Sequence, residues 1–363
     1  MDLVNGFLNI FAPIFSITIF CCFFPAYLCF KSVHYIWRSL FSEDLTGKVI
    51  VIAGASSGMG EHLAYEYGKR GALLVIGARR DNALREVAER AYLLGSPRAV
   101  SIRTDVSKAE DCRRLIQEAI NQFGRLDHLV MSAGVAPVSL FEDTFEVTNF
   151  SPAIYITIEA CYMPSYPQDI NFWGLVYTTY FAAPYLRMTK GRIVVIASSA
   201  SWLNAPRLSF YNASKAAVVS FFETIRTEFA PDIGITILTP GLIESEMTKG
   251  KFLNKKGKIV VDQDLRDVLM SAVPIELVVR LAKATVDSAC RGDKYLTVPP
   301  WCKTTFFVKL LLPEAVDWFN RWFFITGPNI PPTEAISKKV VDLPGVKDIV
   351  WPDSVRSPKI KTN

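Results

Sequence analysis

Lys48-Val49-Ile50-Val51-Ile52-Ala53-Gly54-Ala55-Ser56-Ser57-Gly58-Met59-Gly60 runs from a short apolar, β-type segment into a glycine-rich turn, and helix-like text follows over 61–70. Strand, glycine turn and helix in that order form the setting in which a glycine pattern reads as a dinucleotide site. Glycines let the backbone approach a pyrophosphate, and the helix start offers it unpaired N–H groups and a positive dipole end. Gly54, Ser56, Ser57, Gly58, Met59 and Gly60 are therefore candidate cofactor contacts. The next apolar run, 72–78, ends in Ala78-Arg79-Arg80. An NAD site would carry an acidic residue about there, to accept from the ribose 2′-hydroxyl. Guanidinium groups suit a 2′-phosphate instead, so Arg79 and Arg80 point to NADP(H). Asp81 reads as the N-cap of a helix starting near Asn82.

Alternation continues along the chain. Strand-like segments lie at 99–104, 127–131, 192–196, 234–238 and 295–298, separated by helix-length text such as the amphipathic 108–123. This predicts an α/β fold with a doubly wound parallel sheet of the Rossmann type, ligands binding at the carboxyl ends of the strands. Gly54, Asp105-Val106, Ser132-Ala133-Gly134-Val135, Ser198 and Pro240-Gly241 all fall at such ends.

The chemistry centres on Tyr211-Asn212-Ala213-Ser214-Lys215. Residues i and i+4 share a helix face, so the Lys215 ammonium is expected to lower the pKa of the Tyr211 phenol. A phenol tuned this way can exchange a proton with an alcohol or carbonyl oxygen. Ser198, thirteen positions earlier at a strand end, can hold the same oxygen.

With these pieces placed, the chain resembles the short-chain dehydrogenase/reductase family over about 45–300. The matching residues are Gly54-x-x-x-Gly58-x-Gly60, Asp105, Ala133-Gly134, Asn171, Ser198, Tyr211-x-x-x-Lys215 and Pro240-Gly241. More narrowly, Ser201-Trp202-Leu203, Pro240-Gly241-Leu242-Ile243-Glu244-Ser245-Glu246 and a proline-broken N-terminal segment are similar to the plant 11β-hydroxysteroid dehydrogenase-like proteins, the steroleosins. The resemblance implies Tyr211 as general acid/base and Ser198 as the residue that orients substrate oxygen. Lys215 would bind the nicotinamide ribose, and Asn171 would hold a water linking Lys215 to solvent. It also implies a hydrophobic, sterol-like substrate and an oil-body or endoplasmic-reticulum membrane. The rival expectations are reduction of another lipid-like carbonyl, and a coat or scaffold role with vestigial catalysis.

Two departures from the family pattern stand out. Met131-Ser132 replaces the usual Asn-Asn, removing side chains that brace neighbouring strands, so looser cofactor positioning is expected. Thirty-four residues separate Gly134 from Asp169, about fifteen more than the family spacing suggests. The surplus at 154–168 reads as an insertion extruded as a loop, arising from altered transcript processing.

The rest of the chain bounds the setting. Net charge is +5 over 363 residues, with no dense basic run carrying interleaved aromatics, which argues against nucleic acid. Seven scattered cysteines and three separated histidines suggest a reducing compartment and no metal site. Residues 3–30 contain no charge and are long enough to cross a hydrocarbon core. Pro13 and Pro25 allow either a spanning helix or a kinked insertion into one leaflet, with the proline knob of the resembled group favouring insertion. Lys31, His34 and Arg38 follow, which puts the remainder in the cytosol. The expected organisation is an anchor over 1–31, a linker over 32–46 and the catalytic domain over 47–300. An aromatic amphipathic segment over 301–325 reads as an interfacial helix, a homodimer contact or core packing. A polar, proline-punctuated tail over 326–363 is expected to be extended and coreless. Segment 242–261 reads as a loop closing over an apolar substrate.

Overall fold

The computed structural model describes residues 2–142, 170–254, 256, 258–327 and 330–357; the segment 154–168 lies outside them. The chain divides into two compact units, Met1–Asp44 and Leu45–Asn363.

The first unit is one helix, α1 (Asp2–Leu40), with Pro13 and Pro25 inside it. It is long and apolar enough to cross a membrane. The helix continues to Leu40, past residue 31 and through most of the stretch expected to be a linker. Stacked i,i+4 pairs, Phe7 on Phe11 and Phe20 on Phe24, run along it.

In the second unit, strand and helix alternate: β1 (Val49–Ala53), α2 (Gly58–Lys69), β2 (Leu73–Ala78), α3 (Asp81–Leu93), β3 (Ala99–Arg103), α4 (Ala109–Phe123) and β4 (His128–Met131). After residue 169 come α5 (Trp173–Thr189), β5 (Arg192–Ile196), α6 (Ser209–Phe229) and β6 (Gly234–Leu238). Then follow β7 (Lys251–Leu253), β8 (Ile259–Val261), α7 (Gln263–Met270), α8 (Val278–Arg291) and β9 (Tyr295–Leu296). The seven-stranded sheet has the order β3-β2-β1-β4-β5-β6-β9, and every pairing in it is parallel. All seven expected strands are present; the last is shorter, Tyr295–Leu296.

β1 is buried along its whole length, because helices cover both faces of the sheet and a continuous apolar run is what such a strand requires. Ile50 and Ile52 face Leu63, Val87 and Val286 of α2, α3 and α8. Val49, Val51 and Ala53 face the other way, toward Leu115, Leu186 and Phe222 of α4, α5 and α6. On α4, Cys112, Leu115, Ile116 and Ala119 form the buried stripe. Gly124 ends that helix at φ 71°, the left-handed conformation glycine tolerates best.

The order reverses between β1 and β4, so their carboxyl ends flank a crevice, the usual place for a ligand in an open α/β sheet. Met131 packs at this junction. It is buried, its sulfur accepts from Thr179 Oγ1 at 3.4 Å, and Ser132 N donates to Ala53 O at 2.8 Å.

The segment after β6 is not a plain loop. β7 and β8 pair as an antiparallel hairpin, and Leu253 bridges Pro137 beyond the β4 turn. The tail likewise departs from its expected extended form. It holds α11 (Ile336–Val341), α12 (Val346–Val350) and α13 (Asp353–Arg356), following α9 (Cys302–Leu311) and α10 (Pro313–Phe324). Val341, Trp351 and Val355 are buried with Phe252, Met270 and Ile275 in one apolar cluster. Helices this short are held by tertiary packing rather than by propensity, and widely spaced apolar residues supply it. The aromatic segment forms two helices, α9 and α10. Phe307, Leu311, Trp318 and Trp322 are exposed on them, while Trp202 Nε1 donates to Thr305 Oγ1 at 3.1 Å.

Candidate active site

The turn after β1 is shaped for close approach. Gly54 sits at φ +89°, and a Cβ there would lie 2.5 Å from the backbone nitrogen of Ala133. A Cβ on Gly60 would collide with the Gly54 carbonyl, whereas Gly58, at φ +58°, faces open space. Ser57 occupies the N-cap position of α2 without capping it, so the first-turn N–H groups receive no bond from that side chain. Met59 packs against the core behind the turn. Bare glycines and an uncapped helix start fit the pyrophosphate of a dinucleotide.

Arg80 crosses from the end of β2 to this turn. Its Nε and Nη2 donate to Ser56 Oγ (3.3 Å) and Ser57 Oγ (2.5 Å), and its Nη1 donates to Glu246 Oε1 at 2.9 Å. Arg79 is exposed. Arg80, not Asp81, stands at the N-cap of α3; Asp81 is the first helical residue and pairs with Arg85 at 2.7 Å.

Asp105 shapes the turn after β3. Its Oδ1 accepts from Ser107 N (3.2 Å) and Oγ (2.7 Å), and its N–H donates to Asp111 Oδ2 at 2.8 Å. Val106 is buried, and its side chain leaves no room for a Cβ on Gly174 of α5. Ala133 and Gly134 turn the chain after β4. Asn171, fully buried, accepts from Val135 N at 2.8 Å and donates from Nδ2 to Val135 O (2.9 Å) and Ser214 Oγ (3.1 Å). Ser214 Oγ donates in turn to Tyr211 O at 2.8 Å. One amide thus ties the β4 turn to the helix carrying Tyr211 and Lys215. Pro240 O accepts from Ser199 N at 2.8 Å, and a Cβ on Gly241 would lie 2.6 Å from Cys302 Sγ, so α9 closes tightly behind the β6 turn.

The Tyr211 hydroxyl faces the Ser198 side chain, close enough for that hydroxyl to favour its ionised form. Ser198 Oγ also accepts from Ala200 N at 3.1 Å, which fixes its direction. Lys215 Nζ donates to Ile196 O at 3.0 Å and lies 5.8 Å from the centroid of the Tyr211 ring. It would stand 3.6 Å from a Cβ on Gly134. The hydroxyls of Ser198 and Tyr211, the Lys215 amine and the Asn171 amide therefore gather at the carboxyl ends of β4 and β5.

The electrostatics correct one expectation. Burial raises the Tyr211 pKa above its ordinary value, and the Ser198 hydrogen bond only partly offsets this. Burial also lowers the Lys215 pKa to about 8. An ammonium with no counter-charge among the described residues loses its proton more readily in a poorly solvated site, and it is correspondingly weak at depressing the phenol beside it.

A cleft of about 520 Å³ opens beside the first turns of α6. Ser139, Phe141, Ser201, Asn204, Arg207 and Asn212 are among the residues lining it.

The chain matches the short chain dehydrogenase family over residues 48–256. It belongs to the short-chain dehydrogenase/reductase family. It is 51% identical to 11-beta-hydroxysteroid dehydrogenase A of Sesamum indicum, with all of both chains covered. Identity to 11-beta-hydroxysteroid dehydrogenase 1A of Arabidopsis thaliana is 47%, again over the full length of both. A short-chain type dehydrogenase/reductase from Mycobacterium marinum superposes with a TM-score of 0.59 at 26% identity, over 71% of this chain and 94% of that one. An alcohol dehydrogenase of Thermococcus sibiricus, solved with 5-hydroxy-NADP, shares the fold at a TM-score of 0.54 and 23% identity, over 69% and 95% of the two chains.

Two residues of this short-chain dehydrogenase/reductase site lie inside motif stretches, yet the sequence alone assigns them no role. Ser214 could have been found from its position between Tyr211 and Lys215. The pairing of Glu246 with Arg80 gave no signal, because the two are far apart in the sequence.

Proposed function

We propose that this chain is a membrane-anchored, NADP(H)-dependent oxidoreductase that interconverts a secondary alcohol and a ketone on a hydrophobic, sterol-like substrate. The observation that carries the reading is the placing of the Ser198 and Tyr211 hydroxyls side by side, with Lys215 Nζ 5.8 Å from the Tyr211 ring centroid, which offers two donors for one substrate oxygen. Gly54, Gly58, Gly60, Ala133-Gly134, Lys215 and Pro240-Gly241 would hold the dinucleotide, with Arg80 toward a 2′-phosphate. When bound, the dinucleotide supplies or accepts the hydride. In the reductive direction Tyr211, a phenol that burial holds further toward its protonated form, donates its proton to the carbonyl oxygen while Ser198 holds that oxygen. In the oxidative direction the phenolate takes the alcohol proton. Lys215 gives the phenolate only weak support by charge, and Asn171 holds the turn opposite.

The sterol reading draws on the hydroxysteroid dehydrogenase names of relatives that match over the whole length. The uncharged stretch of α1, succeeded within the same helix by Lys31, His34 and Arg38, supports anchoring to endoplasmic reticulum or an oil-body monolayer with the catalytic unit in the cytosol. The exposed aromatic face of α9 and α10 suits that same surface; a second copy of the chain is its other candidate occupant. A coat role with vestigial catalysis is disfavoured by the assembled Ser198–Tyr211 pair. The test is turnover by the purified chain of a panel of keto- and hydroxysterols with NADPH and NADH. NADPH-dependent reduction is expected. Intact nucleotide binding without turnover on any sterol would favour the coat.

A further inference from the structure

The Arg80 guanidinium does more than face the glycine turn: it bridges that turn to the segment after β6. Two of its nitrogens are held by Ser56 and Ser57, and the third by Glu246. Lys251 Nζ, at the start of β7, takes the other Glu246 oxygen at 3.1 Å. The Arg80 and Glu246 side chains are only 22% and 24% exposed. Burial opposes the Glu246 charge, but the Arg80 and Lys251 bonds outweigh it and hold the carboxyl below its usual range. An anion of the protein's own therefore occupies the guanidinium in the region where a 2′-phosphate is expected.

We infer that Glu246 is a specificity-setting gate: it holds Arg80 to the segment after β6, and a nucleotide bearing a 2′-phosphate binds by replacing the Glu246 carboxylate on that guanidinium. This rests on the NADP(H) reading above. Exchange of one oxyanion for another keeps Arg80 paired throughout, and it releases the segment 242–250 from the glycine turn only when the extra phosphate is present. A nucleotide lacking that phosphate leaves the Arg80–Glu246 pair intact. The opposite view, that Glu246 merely positions Arg80 for the phosphate, predicts the opposite sign on removing it.

The test is calorimetric titration of the full-length chain in detergent with NADP+ and with NAD+, for wild type, Glu246→Gln, Arg80→Gln and the double variant. Glu246→Gln is expected to tighten NADP+ about fivefold and to leave NAD+ unchanged. In the Arg80→Gln background the same substitution is expected to do nothing, since the carboxylate acts through that guanidinium. Glu246→Asp, one methylene shorter and so a weaker partner for Arg80, is expected to tighten NADP+ as well and serves if the glutamine variant does not fold. Unchanged or weaker NADP+ binding, or an equal gain for NAD+, would overturn the gate while the cofactor reading stands. Failure of the wild-type chain to bind either nucleotide would overturn both.

Discussion

Asn171 closes a two-way hydrogen bond with the backbone of Val135, accepting its N–H at 2.8 Å and donating to its carbonyl at 2.9 Å. The pairing copies one rung of a sheet, made by a side chain. It fixes the turn after β4, where Met131-Ser132 lacks the bracing side chains the family usually has. Asn171→Ala would leave both backbone groups of the half-buried Val135 without these bonds. A buried unsatisfied group costs about 1–3 kcal/mol; water can recover part of that at Val135, so chemical denaturation should show a loss of roughly 1–3 kcal/mol. Cofactor titration should show weaker binding. Asn171→Asp, which keeps the acceptor and loses the donor, should fall between.

Lys215 carries a pH signature in the nucleotide-free protein. Burial lowers its pKa from the ordinary 10.5 to about 8. Between those values the unfolded chain binds a proton that the native chain does not, so this residue makes stability rise with pH across that window. Below pH 8 the full cost of the buried charge is present; by pH 10.5 it has gone. The gain is on the order of 3 kcal/mol. Unfolding curves of wild type and Lys215→Met should diverge with pH in that direction, wild type gaining relative to the variant.

The carboxyl-terminal helices are structural rather than a loose tail. Trp351 is 2% exposed, lies 5.0 Å from the Arg266 guanidinium, and packs with Phe252 of β7. Arg266 Nη1 in turn donates to Val355 O at 3.1 Å. Trp351→Ala should destabilise the protein by about 3–5 kcal/mol. Because its cluster reaches β7, limited proteolysis should find the β7–β8 hairpin cut faster in that variant.

The parts of this architecture that were legible in the sequence share a physical character. Val49–Ala53 and Arg192–Ile196 are continuous apolar runs because strands covered on both faces must be. Gly54, Gly58 and Gly60 follow at a spacing set by backbone approach. Tyr211, Lys215 and Ser198 could be placed by helix spacing and strand ends. What escaped depends on contacts distant in sequence. Val341, Trp351 and Val355 are too sparse to announce a core, and only the partners on β7 and α7 make one. The Arg80–Glu246 pair joins two segments with no common pattern. The direction of the Tyr211 pKa depends on how much water the folded site excludes, which spacing alone does not encode.

The central claim is that the Tyr211 hydroxyl, paired with Ser198, moves the proton while hydride passes between NADP(H) and substrate. Tyr211→Phe removes that hydroxyl and keeps the ring. The direct measurement is the NADPH-dependent reduction rate of a ketosteroid by wild type and this variant, with NADPH binding followed alongside. Binding within a factor of about two and a rate reduced by at least about a hundredfold are predicted. Undiminished turnover by the variant would contradict the account.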